Sequence, residues 1–128
     1  MHRELVLAAG VALALSVASV HASAKHLHEI YRVDRVSASI VGNRLVIEAS
    51  GAVSSGGWGG PRLHVKPSPS EAHVLEIDFV ADPPSPKRVV IEEVLPVSAI
   101  LRLPLPKYGT FAVSVTSQTN TITTEIRR

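Results

Sequence analysis

Cysteine is absent from this 128-residue chain, so disulfide staples and thiol redox chemistry are excluded, and stability must come from packing and strand pairing. Aromatic rings are scarce: Trp58, Phe79, Phe111, Tyr31 and Tyr108 are the whole supply. A strong charge of either sign is missing too. Thirteen Lys and Arg stand against eleven Asp and Glu, a net charge of +2 with the basic residues scattered, which gives no footprint for nucleic acid. The Arg127-Arg128 pair alone departs from that scatter and reads as a solvated tail.

Catalytic signatures are also lacking. There is no Gly-x-Ser-x-Gly elbow and no His-Glu-x-x-His, and "GGWGG" has neither the lysine nor the strand-to-helix context of a phosphate loop. Asp34, Glu48, Glu76, Asp78, Glu92 and Glu93 supply carboxylates, but no motif fixes two of them at a working separation. The chain is therefore expected to be non-enzymatic.

What is present begins at the N-terminus. Arg3, an apolar run from Leu5 to Val20 and the sequence His21-Ala22-Ser23-Ala24 are the charged start, hydrophobic stretch and Ala-x-Ala site of a secretory signal peptide. The run is shorter than the ~20 apolar residues that span a bilayer as a helix. Residues 1–24 are thus expected to be removed, leaving 25–128 as one periplasmic or secreted domain with no stable membrane insertion after cleavage. Its length of about 100 residues suits a single core.

Apolar residues nowhere repeat at helical spacing over a helical length, whereas several short segments alternate with period two. Residues 30–41 and 43–50 flank Gly42-Asn43, a hairpin turn signal, and Leu45, Ile47 and Ala49 would share the inner face. Residues 62–66 follow the glycine loop. "HVLEIDFVA" (73–81) turns Leu75, Ile77 and Phe79 inward, with His73 at the edge of that face. "DPPSPK" (82–87) is a loop, because proline gives a sheet no ladder donor.

Residues 88–95 and 97–103 read as strands broken by Pro96. Residues 109–116 and 121–127 make a last hairpin, with Phe111, Val113, Val115, Ile122 and Ile126 facing in. Seven or eight strands in this length predict an all-β, antiparallel β-sandwich of immunoglobulin-like type, with a small β-barrel as the alternative. If strands alternate up and down, the glycine loop 51–61 and the proline loop 82–87 share one end. The 117–120 turn joins them if 88–103 is one broken strand, and otherwise lies opposite.

Candidate binding residues gather on those loops: Trp58 amid four glycines, Arg62 just beyond it, and Pro83 and Pro84. Trp58 either folds back to cap the core, giving its indole N–H to a carbonyl, or presents its ring to a sugar or a protein. A second possibility is a metal. His26 and His28 alternate along an extended start, and imidazole suits copper, nickel or zinc. His64 and His73 could contribute only if the fold brings them together.

The succession "GGWGGPRL", "LEIDFVA" and "DPPSP" over residues 50–90 resembles small exported bacterial proteins of uncharacterised function. The resemblance implies no activity and no role for any residue. The expectation is an exported binding or accessory protein that recognises a protein or glycan through loops at one end. A periplasmic metal-binding protein using the N-terminal histidines is the alternative.

Overall fold

The computed structural model describes residues 27–67, 73–106 and 109–128; residues 1–24, where a signal peptide is expected, and His26 lie outside the described residues. In chain order the strands are β1 (His28–Glu29), β2 (Arg32–Val41), β3 (Arg44–Val53), β4 (Gly59–Val65), β5 (Val74–Asp82), β6 (Leu95–Pro104), β7 (Ala112–Thr116) and β8 (Thr121–Glu125). No described residue is helical.

The first hairpin follows from its turn chemistry. Gly42 has φ +63°, whereas Asn43, like every described non-glycine residue, does not have a positive φ, the type II′ arrangement that matches the twist of paired strands. Val41 then opposes Arg44, and the ladder runs back along β2. Leu45, Ile47 and Ala49 are buried as the alternation predicts.

β2 keeps its apolar side chains inward by a change of register. The ladder shifts between Val33 and Arg35, so that the extra residue switches the parity of the strand. Val33 and Ala38 can therefore both be buried, with Val36 and Ile40 packed beside them. The Asn120 side chain holds this point: its Oδ1 accepts the Val33 N–H at 2.9 Å and its Nδ2 donates to the Val33 carbonyl at 2.8 Å.

β2-β3-β6 form a three-stranded antiparallel sheet, β6 lying along the whole of β3. The five-stranded sheet is built on β5, with β4 along one edge. Its other edge carries β1 at residues 80–81 and β7 at 74–78, and β8 lies beyond β7. The two sheets share one core of Ile30, Val33, Leu45, Ile47, Ile77, Phe79, Val113 and Val115, giving a sandwich-like, all-β fold.

Four expectations are corrected. The pairing is not antiparallel throughout, since β5 and β7 are parallel. After β5 the chain crosses to the other sheet as β6 and crosses back, which returns it to the same starting end. Residues 88–94 form no strand, and Pro96 sits inside a single β6 instead of breaking it. Phe111 precedes β7 and is 54% exposed, its ring lying 5.8 Å from that of the exposed His73.

Both terminal arginines are exposed, as a solvated tail would be, but the Arg127 backbone is held. The Arg127 N–H donates to the Ala38 carbonyl at 2.9 Å and its carbonyl accepts the Ile40 N–H at 2.8 Å. This bridge joins the two sheets along the β2 and β8 side, part of the way to the barrel alternative. On the other side β4 and β6 lie near each other with no ladder between them among the described residues.

Candidate functional site

The glycine loop is shaped by close approach. Gly57 has φ +88°, and a Cβ there would lie 2.8 Å from Pro84 Cβ and 2.9 Å from Val90 Cγ1. Only glycine fits both the conformation and the space. Beside it the Gly56 N–H donates to the Ile91 carbonyl at 2.9 Å. Loop 54–58 is thus tied to the segment 83–91 that follows β5, and the two loops meet at one end of the molecule.

The 117–120 turn lies at that end as well. Gln118 and Thr119 donate their backbone N–H groups to the carbonyls of Ile30 and Tyr31, next to Val33, which opposes Gly51 near the end of β3. Three connections therefore converge there, the arrangement expected if residues up to Leu103 run as one strand.

Each candidate residue has a definite place in this cluster. Trp58 is half-buried and packs against the core, so it seals the end more than it projects from it. The Arg62 guanidinium bonds to the Gly60 carbonyl and reaches Asp82 Oδ1 at 3.1 Å, clamping β4 to the end of β5. Pro83 and Pro84 are half-buried. The exposed surface is supplied by residues that sequence reasoning had assigned to a strand: Val89 is 96% exposed, Ile91 71% and Val94 49%, while Val90 between them tucks against Gly57. The period-two apolar pattern of 88–95 was their only signal.

A polar group occupies the outer face of the five-stranded sheet. The registers set His64 and Thr116 on either side of Asp78, and place Glu29 beside Val80. Lys66 Nζ stands 3.8 Å from Glu76 Oε1 and 3.6 Å from Asp78 Oδ1. Burial, together with the neighbouring Asp78 carboxyl, pushes the Glu29 carboxyl above its ordinary range, against the pull of Lys66. Asp78 Oδ1 is itself buried without a hydrogen-bond partner, so two carboxyl groups crowd this part of the sheet face. Sequence gave no sign of it, because β1 has only two residues and reaches Asp78 through pairing.

This carboxyl group predicts a pH effect. A carboxyl whose pKa is raised on folding binds its proton more tightly in the folded state, so its ionisation opposes folding as pH rises through the folded pKa. Glu29→Gln is expected to stabilise the protein at pH 7. The gain should shrink on acidification and vanish below the ordinary carboxyl value of 4.5. Urea midpoints of both proteins between pH 3 and pH 8 would test this, and a gain independent of pH would contradict it.

The described histidines lie on separate segments. His28 is exposed on β1 opposite Ala81, His64 lies on β4, and the His73 ring nitrogen meets the Gly109 carbonyl at 3.0 Å. Among the described residues no three His, Asp or Glu side chains converge as a metal site. At the end opposite Trp58, a cavity of about 550 Å³ opens between the sheets, lined by Leu45, Val65, Leu75, Leu103 and Leu105 with Lys66 at its side.

In comparison with known proteins, no family model matches the chain, and no curated protein or solved structure matches it significantly.

Proposed function

We propose that the chain is an exported, non-enzymatic binding module on an immunoglobulin-like sandwich, and that it recognises a protein through the loop end. The observation that carries this reading is the exposed pair Val89 and Ile91, held on a segment anchored by the Gly56 to Ile91 hydrogen bond. Exposed apolar side chains on an ordered, backbone-anchored segment are suited to burial against a partner. A protein is favoured over a glycan because the exposed groups are aliphatic and Trp58, the ring suited to stacking on sugar, packs on the core. Export rests on the charged start, apolar run and Ala-x-Ala site of residues 1–24.

The test is affinity capture from native envelope and medium with the processed protein. The Val89→Asp/Ile91→Asp double variant is expected to lose the captured partner while its melting temperature stays within a few degrees of the parent, since surface substitutions usually cost less than about 0.5 kcal/mol. Trp58→Ala is expected to lower the melting temperature. Undiminished capture by the double variant would sink the proposal, as would no capture by the parent.

A further inference from the structure

β6 is an edge strand of ten residues, paired on one side to β3; on the other side β4 lies near it, but no described strand forms a ladder with it. Its inward residues Leu95, Val97, Ala99, Leu101 and Leu103 are all only half-buried, whereas Leu45 and Ile47 of β3 are fully covered. Along an antiparallel strand, backbone groups point alternately to the two neighbours. Proline, lacking an N–H, occupies a strand where its nitrogen faces away from the ladder. Pro96 and Pro104 therefore set the parity: residues 96, 98, 100, 102 and 104 direct their backbone groups to the free edge. The donors left there are Ser98, Ile100 and Arg102.

These residues are arranged symmetrically about Ile100, with a proline four positions to either side. We propose that β6 pairs with β6 of a second copy of this chain, antiparallel, about a two-fold axis at Ile100. Ile100 then faces its own equivalent, Ser98 faces Arg102 of the other copy, and Pro96 faces Pro104. Each of the three central residues exchanges its N–H and C=O with the other copy, and both proline positions fall at the ends, where no donor is needed. Every other register that keeps this parity and is centred between the two prolines sets a proline against Ser98, Ile100 or Arg102. The register centred on Arg102 also opposes two like charges, which destabilises a strand pair.

The exposed apolar residues obey the same symmetry. Ile100 is 51% exposed, Leu105 53% and Val94 49%. The two-fold brings Ile100 against itself and sets Leu105 of one copy beside Leu95 and Val94 of the other. The result is an isologous interface with apolar contacts at its centre and at both ends. It joins two three-stranded sheets into one continuous six-stranded sheet and leaves Val89 and Ile91 outside the contact.

Single cysteines test the register, because the chain has none of its own. Directly opposed residues of this kind have Cα atoms about 5.5 Å apart, within disulfide reach. Under mild oxidation Ile100→Cys is expected to give a disulfide-linked dimer. Ser98→Cys and Arg102→Cys should each stay monomeric alone and cross-link when mixed. Circular dichroism before oxidation confirms that each variant is folded, and sedimentation velocity of the parent should show a dimer that increases with concentration.

The proposal is overturned if Ile100→Cys cross-links no faster than Ser98→Cys alone, if the mixed pair fails to cross-link, or if the parent stays monomeric at all concentrations. Occupation of this edge by a strand of a different protein would overturn it too.

Discussion

Phe79→Ala is expected to lower stability by about 3–5 kcal/mol, the usual cost of removing a large ring from a core that only partly collapses. Phe79 is the largest fully buried side chain among the described residues. It opposes Leu63 across the β4–β5 ladder, and its carbonyl accepts the Ile30 N–H at 3.0 Å, so the site is pinned by backbone pairing on two sides. Among the described residues Phe79 is the one aromatic ring that is fully buried, Trp58 being half-buried and Phe111 exposed. A domain of this size is stable by about 5–15 kcal/mol, which makes the loss a large part of the total. Urea denaturation measures it directly. Phe111→Ala is the matched control and should cost less than about 1 kcal/mol; equal losses at the two positions would contradict the assignment of the core.

A comparable effect is expected from a much smaller change, Gly51→Ala. A Cβ at Gly51 would lie 2.2 Å from the Arg32 carbonyl oxygen, 2.9 Å from Ile30 Cδ1 and 3.1 Å from Val33 Cα. The φ angle there is not positive, so the constraint is space and not backbone conformation. The nearest atom belongs to the β2 backbone, in the stretch where β2 shifts register and Asn120 grips Val33. Relief requires β2 to move away from β3 and would loosen that grip. The expected cost is about 3 kcal/mol or more, at or above the upper end for overpacking. Gly42→Ala makes the contrast: it has a positive φ but nothing within 4 Å, so only the backbone penalty of roughly 1–2 kcal/mol applies. If Gly51→Ala proved as mild as Gly42→Ala in the same denaturation series, the close approach would be wrong.

Much of the strand layout was legible, and the reasons are local. Gly42-Asn43 supplies its own turn chemistry, and the buried sets at 45, 47 and 49, at 77 and 79, and at 113 and 115 all follow the pleat. Period two carries no information about which strand lies beside which, so the parallel β5–β7 pair could not be read. It also does not mark where a strand begins. Phe111 has the right parity for the core but stands one residue before β7, at the margin of the sheet, where its N–H donates to the His73 carbonyl and its ring lies beside the exposed His73 ring. The apolar alternation of 88–95 looked like a strand for the same reason, although those residues cross from one sheet to the other.

The candidate site was legible in its location and not in its roles. Turn-forming glycines and prolines placed two loops at one end, and Gly57 against Pro84 shows how closely they meet. Which side chains would face outward depended on contacts that composition does not encode. Trp58 and Arg62 are taken up by the core and by Asp82, leaving the aliphatic pair at 89 and 91 outermost. The Glu29–Asp78 pair depends on a two-residue strand finding its place against β5.

The grip of Asn120 on Val33 spans 87 positions of sequence, and Gln118 reaches the Glu29 carbonyl across 89. The register of the first long strand is therefore secured by residues almost ninety positions further along the chain. Contacts of such separation make folding slow, because the chain must close a long loop before they reward it. A nascent chain ending before Ser117 has neither the clamp on β2 nor the partner for the Glu29 carbonyl, and both wait for the 117–120 turn to emerge.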